Sequence, residues 1–154
     1  MRLTSWDGAW VDLRVLRRQT LELRAVELDR PDWSETWLLV RGEVHTAEGR
    51  HWVFREPCLT PWDAQRTGSW LRTVAEAPGP LLGDGLVFRE PSLSFVLDAA
   101  RDDRRLLRVH LAGAAAWTDP VSGAPLGGGV PLDVDVEGLV TAARDWDEDL
   151  ERTG

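Results

Sequence analysis

Hydrophobic and polar residues alternate along much of this chain, and the alternation predicts β-strands because successive side chains of a strand point to opposite faces. The predicted strands cover residues 19–28, 35–46, 50–57, 85–91, 92–99, 104–113 and 130–137. In the last of them Leu132, Val134 and Val136 are separated by acidic residues, which we expect to face solvent. Gly49 and the stretch 101–103 supply turn residues between neighbouring strands, which favours hairpins at these two places.

Two segments carry the signals of α-helices. The first begins after Thr60, with Pro61 at the first helical position and Asp63 three residues after the cap. In this pattern the threonine and the aspartate side chains accept hydrogen bonds from each other's backbone N–H groups. The helix is predicted to run to about Glu76. The second helix lies near the C-terminal end, where apolar residues recur on one helical face: Leu139, Ala143, Trp146 and Leu150.

These elements predict an α+β fold in a single domain that covers residues 1–154. We expect one antiparallel sheet of about six or seven strands, with the two helices packed on it. Residues 113–129 are rich in glycine, alanine and proline, and they are predicted to form one long loop.

A near repeat interrupts this pattern. The stretches VFREPCL (53–59) and VFREPSL (87–93) agree at six of seven positions and lie 34 residues apart, which is also the period of a helical repeat. However, both copies have the periodicity of a strand, and a capped helix follows the first copy whereas a strand follows the second. A helical solenoid is therefore not predicted. The shared glutamate–proline pair indicates strands whose pairing ends or shifts at the proline.

The composition argues against a membrane protein and against an exported protein. The longest apolar runs are far shorter than a membrane span, Asp7 interrupts the place where an export signal would need apolar residues, and Cys58 is the single cysteine. We therefore expect a cytoplasmic protein without a membrane partner.

The formal net charge is −8, and residues 130–154 contain eight acidic residues but only two arginines. Such a field repels nucleic acid and attracts basic proteins. The residues predicted to contact a partner are Asp133, Asp135, Glu137, Asp145, Asp147, Glu148 and Asp149. A solvated acidic face without a partner is the alternative interpretation.

Two carboxylates, Glu56 and Glu90, would suit acid–base hydrolysis if their strands lay side by side. Each adjoins an arginine, which favours an ion pair at the end of a strand instead. A nucleophile motif, a phosphate-binding loop and a dinucleotide-binding motif are all missing from the sequence.

A metal site is the other candidate. His45 and His51 flank the same hairpin and would approach each other, with Glu43 or Cys58 as a third ligand. The chain lacks the characteristic spacings of metal ligands, so we predict neither a metal nor a cofactor.

The motifs from ETWLLVRGEVHT through HWVFREPCLTPWD to LVFREPSLSFVL resemble the WapI-type immunity proteins, small bacterial antidotes of wall-associated, contact-dependent toxins. The resemblance covers about residues 33–151, and it includes the Trp70–Leu71 pair near the end of the first helix. One stretch departs from the family pattern: AAAW at 114–117 stands where an acidic residue and two prolines would precede the tryptophan.

The resemblance implies a non-enzymatic immunity protein that binds and neutralises a cognate toxin domain, for which we expect a nuclease. Two alternatives stay open. One is a cytosolic interaction protein that shares only the fold, and the other is a hydrolase that uses Glu56 and Glu90.

Overall fold

A computed structural model describes residues 1–22, 34–78, 85–90 and 92–153. The strands within these ranges are β1 (Arg2–Thr4), β2 (Trp10–Glu22), β3 (Ser34–His45), β4 (His51–Leu59), β5 (Gly85–Val87), β6 (Leu93–Arg101), β7 (Arg104–Leu111), β8 (Trp117–Thr118), β9 (Pro125–Leu126) and β10 (Gly128–Asp135). The helices are α1 (Pro61–Glu76), α2 (Val136–Thr153) and one 3-10 turn (Gly113–Ala115).

The α+β class is confirmed, but the expectation of a single sheet is wrong. The described strands form two four-stranded antiparallel sheets, in the orders β1-β2-β3-β4 and β10-β7-β6-β5, and a two-stranded ribbon, β8-β9. A physical reason lies in β4, which contains Pro57 opposite Leu39 of β3. Proline cannot donate a ladder hydrogen bond and is confined to sheet edges, so β4 closes the first sheet rather than continuing it. Pro131 has the same place in the edge strand β10.

The N-terminal part of the chain holds more strand than the sequence pattern predicts. The strand predicted at 19–28 is the end of β2, which begins at Trp10 and pairs with β3 along its whole length. Its residues 23–28 lie outside the described ranges. A register shift between Val15 and Arg17 marks a β-bulge in this long strand.

The two sheets and both helices contribute to one cluster of buried apolar side chains. Its largest fully buried members are Trp146, Phe95, Met1 and several leucines from both sheets. The face predicted for the last helix is confirmed at Leu139 and Trp146, which are fully buried. The Trp146 indole N–H donates to the Ala64 carbonyl at 2.7 Å, which ties α2 to α1.

Helix α1 follows the prediction at both ends. The Asp63 N–H donates to the Thr60 hydroxyl oxygen at 3.1 Å, and the Thr60 N–H donates to the Asp63 carboxylate at 3.3 Å. The last turn contains no basic residue. Instead, the buried guanidinium of Arg105 in β7 donates hydrogen bonds to the carbonyl groups at the end of α1.

Both predicted hairpin turns are present, with Gly49 at φ +87° and Asp102 at φ +38°. The long loop predicted at 113–129 is wrong in part, because it contains the 3-10 turn and the β8-β9 ribbon. Asp119 closes that ribbon: its carboxylate accepts from the Val121 N–H at 2.7 Å. A local side-chain bond of this kind stabilises a turn that composition alone does not reveal. No described helix is long and apolar enough to cross a membrane.

Candidate functional site

The acidic residues predicted to bind a partner fall into two groups in space. Asp133, Asp135 and Glu137 lie where β10 ends and α2 begins, and the other four lie in the later turns of α2. Within each group, the structure separates residues that face solvent from residues that hold the fold together.

Asp133 joins the two sheets. Its carboxylate accepts from Arg104 Nε at 2.8 Å, and its carbonyl accepts from Arg104 Nη2 at the same distance. Its N–H donates to the Ser5 hydroxyl, at 3.0 Å, in the segment that follows β1. Hydrogen bonding to Asp133 raises the pKa of the Arg104 guanidinium, which therefore stays protonated.

Asp135 and Glu137 flank the first turn of α2. The Asp135 carboxylate accepts from the Gly138 N–H at 2.5 Å and so satisfies one of the free donors at the helix start. Glu137 is exposed one residue into the helix, where a negative charge also favours the positive end of the helix dipole. Of these two, Glu137 is the residue available to a partner.

Asp149 is an internal residue. Its side chain is only 7% exposed, and it accepts a hydrogen bond from Arg152. It also faces the Met1 ammonium group at 3.7 Å and Arg14 at 3.9 Å. Burial lowers the pKa of the Met1 amino group, and the charge of Asp149 partly opposes that effect. The negative charge of Asp149 therefore serves the packing of α2 against the N-terminal strands.

The remaining three acids of α2 are more accessible. Asp147 pairs with Arg72 of α1 at 2.5 Å. Asp145 and Glu148 lie 3.7 and 3.9 Å from Arg144, with side chains 39% and 55% exposed. Ion pairs this exposed contribute little to stability. The predicted partner-binding residues most open to solvent are thus Asp135, Glu137 and Glu148, whereas Asp145 and Asp147 are partly exposed.

An exposed tryptophan lies beside the first acidic group. Trp6 is 76% exposed and sits on the turn that links β1 to β2. The turn is closed by a hydrogen bond from the Ser5 N–H to the Ala9 carbonyl at 2.8 Å, and Gly8 adopts φ +91°. The Asp7 carboxylate accepts from the Ala9 N–H at 3.1 Å, and this bond lowers the pKa of Asp7.

The exposure of Trp6 is not among the features predicted from the sequence, although its signal is present. Trp6 stands in the stretch TSWDG, between a serine and an aspartate–glycine pair. Those residue types favour a turn, and a large aromatic side chain carried on a short turn has few neighbours to bury it. The combination predicts an exposed tryptophan.

The two candidate catalytic glutamates belong to different sheets. Glu56 lies in β4, whereas Glu90 follows β5, and these two strands do not pair. The Glu90 carboxylate accepts from the Ser92 hydroxyl at 2.9 Å. The side-by-side strands that acid–base catalysis by this pair requires are therefore not formed.

Cys58 is buried close to both glutamates. Burial, together with the charges of Glu56 and Glu90, raises the pKa of the Cys58 thiol to about 12. The thiol therefore stays protonated near neutral pH, and a protonated thiol is neither a nucleophile nor a good metal ligand.

The two histidines do meet on the outer face of the first sheet. Their ring centroids are 6.2 Å apart, and His45 stacks on Trp10. His51 Nε2 lies 2.9 Å from the Glu43 carboxylate. Cys58 is seven residues further along β4 on the opposite face, about 23 Å away at the usual rise of a strand. Within the described ranges, no three histidine, cysteine or acidic side chains are placed to hold a metal ion.

Comparison with known proteins identifies one family. The family described as "Immunity protein WapI-like family" matches residues 2–154, and so includes the N-terminal strands that the motifs do not cover. No curated protein matches the chain. The chain is also similar to a solved structure, "Structure of the plant transcriptional regulator PBF-2", with 10% sequence identity and a TM-score of 0.42. The match covers 99% of this chain and 80% of that other chain. That likeness is too weak to support any statement about this protein.

Proposed function

Since the chain belongs to the WapI-like immunity protein family, we propose that it protects the cell that makes it by binding a toxin domain and blocking its action. The family match over residues 2–154 is the observation that carries this proposal. The protein acts as a stoichiometric binder rather than as an enzyme.

We propose further that the toxin domain is a nuclease. A nuclease has to present positive charge to the phosphates of its substrate. This chain carries a formal net charge of −8, which steers such a partner toward it and repels the nucleic acid that competes for the same surface. Nucleic acid substrates lie in the cytoplasm, so the protein is expected to act there.

The outward acids of α2 contribute to the rate of association in this proposal. Glu148 is exposed and Asp145 is partly exposed, and they share one weakly held arginine, so a negative charge remains for long-range attraction. Asp147 and Asp149 are engaged by arginines within the fold and contribute less to steering.

Co-expression tests the proposed function. The C-terminal domain of a wall-associated toxin from the source genome is induced in a bacterial host, with or without this protein, and survival is counted. We expect this chain to restore growth, and the purified pair to form a one-to-one complex. Growth arrest in its presence, with no complex between the purified proteins, would refute the proposal.

A charge variant tests the steering role separately. The double variant Asp145→Asn, Glu148→Gln is compared with the control Glu48→Gln, Glu76→Gln, which removes two exposed charges outside α2. We expect the first to slow association with the toxin domain more than the second, and to flatten its dependence on salt between about 50 and 200 mM. Equal association rates for the two variants would show that the acids of α2 play no special part.

A further inference from the structure

The backbone at Trp6 is fixed by hydrogen bonds, although its side chain is exposed. Besides the hydrogen bonds that close its turn, the Trp6 N–H donates to the Asp133 carbonyl at 3.4 Å. The Asp133 N–H returns a bond to the Ser5 hydroxyl. The turn is therefore attached to the edge strand of the second sheet. A side chain presented from a fixed backbone loses little conformational freedom when a partner covers it.

Two hollows flank this tryptophan. One has a volume of about 290 Å³ and the other of about 450 Å³. Trp6 and Arg104 line both of them, so the indole forms a ridge between two depressions. Tryptophan and arginine are the residue types most enriched among those that dominate binding energy at protein interfaces.

The charges around the ridge are mixed, with four carboxylates and three arginines, and their sum is slightly negative. Arg101, which is exposed, and Arg104 line the smaller hollow, while Arg2 and Arg104 line the larger one. Asp7 and Asp133 line the smaller hollow, and Asp135 and Glu137 line the larger one. Arg104 is paired with Asp133. Arg2 lies 4.0 Å from the Trp10 ring centre, where its charge interacts with that ring.

An aromatic face with an exposed carboxylate on each side is a suitable receptor for an arginine or lysine side chain. The cation is attracted to the π-system of the ring, and its N–H groups can pair with the neighbouring carboxylates. Asp7 and Glu137 are exposed on the two sides of Trp6 and are available for that role.

We propose that Trp6 and the two hollows beside it form the docking surface for the toxin domain, with a basic side chain of the partner placed against the indole. This inference rests on the proposed function and adds the contact surface. It assigns the main binding energy to the turn between β1 and β2, and long-range steering to the acids of α2.

The test uses the purified, catalytically inactivated toxin domain as the probe in a titration against the full chain. We expect Trp6→Ala to raise the dissociation constant by about 30-fold or more, and Trp6→Phe to raise it less. Trp62 at the start of α1 provides a matched control, because it is 68% exposed and lines neither hollow. Trp62→Ala is expected to change the constant by less than about threefold. Both alanine variants should unfold at the same urea concentration as the wild type.

Each outcome decides a separate point. If the wild type binds and Trp6→Ala binds equally well, the docking surface is refuted and the proposed function stands. If the wild type does not bind, both are refuted. If the wild type forms a dimer that Trp6→Ala abolishes, the ridge contacts a second copy of this chain, and that result also overturns the inference.

Discussion

Replacing Arg105 by methionine is expected to destabilise the protein by about 3–5 kcal/mol, because a buried donor to several carbonyl groups would be lost. Arg105 is 5% exposed. Its Nε donates to the Val74 carbonyl at 2.9 Å, and Nη2 donates to the Ala75 and Ala77 carbonyls at 2.9 and 2.8 Å. Its Nη1 donates to two further carbonyls, that of Asp102 in the turn before β7 and that of Arg104 at the start of β7.

The magnitude follows from what remains after the substitution. The Ala75 and Ala77 carbonyl groups would lose the donor that Arg105 supplies, whereas the Val74 carbonyl would keep the Ala77 N–H at 3.3 Å. Each buried acceptor left without a partner costs about 1–3 kcal/mol. Methionine fills part of the space but donates nothing. The costs are not additive, so the sum stays near the range measured when one member of a buried pair is removed. A domain of this size has about 5–15 kcal/mol of stability, so the variant should lose a large part of it.

Urea unfolding followed by tryptophan fluorescence measures this loss. Arg104→Met is the matched control, because Arg104 is the preceding residue of β7 but is 36% exposed and pairs with a carboxylate that is itself accessible. It should cost about 1 kcal/mol or less. Arg105→Lys should recover only part of the loss, since an ammonium group cannot span the same set of acceptors. A loss below about 1 kcal/mol for Arg105→Met would refute this account of the end of α1.

Three further predictions concern single side chains. Trp146→Phe should lower the free energy of unfolding by about 1–3 kcal/mol more than Trp70→Phe, as measured by urea unfolding. Trp146 would lose its bond to the Ala64 carbonyl, whereas the Trp70 indole N–H has no acceptor among the described residues. Equal costs would contradict this. Cys58 should resist thiol reagents at about pH 8 until the protein unfolds. Since its pKa is about 12 in the fold and 9.0 as the ordinary value, stability should fall as pH rises above 9.0, and Cys58→Ala should lack that fall. Asp149→Asn should lose about 3 kcal/mol of stability, whereas Glu148→Gln should lose almost none and instead slow toxin association.

The sequence predicts those features of the fold that depend on local interactions. The Thr60–Asp63 capping box lies within four residues, and the alternation of β10 needs only the period of a strand. Both are confirmed. The division into two sheets depends on which strands pair across the chain. Pro57 is the local clue, because it prevents β4 from pairing on both sides through the whole of its length.

Arg105 shows why a helix end is harder to predict than a helix start. The cap at the beginning of α1 comes from residues adjacent in sequence, but the groups that satisfy its end come from β7, about thirty residues later. Nothing in the stretch RDDRRLLRVHL distinguishes Arg105 from Arg104 by type. Alternation offers one weak signal, since Arg105 has the same parity as the buried Leu107 and Val109.

The acidic C-terminal segment shows the same limit for the candidate site. Composition treats its acids as one charged surface, because their positive partners lie elsewhere in the chain. In the fold, Asp149 faces the Met1 ammonium group and Asp147 reaches Arg72 of α1, while Glu148, between them, remains 55% exposed. Adjacent side chains of a helix point about 100° apart. When one face of the helix packs against the protein, neighbouring acidic residues are therefore expected to be buried or exposed in turn. The negative charge available to attract a partner is therefore smaller than the number of acidic residues suggests. A docking surface then also needs a side chain that contributes binding energy by contact, and the exposed Trp6 can provide it.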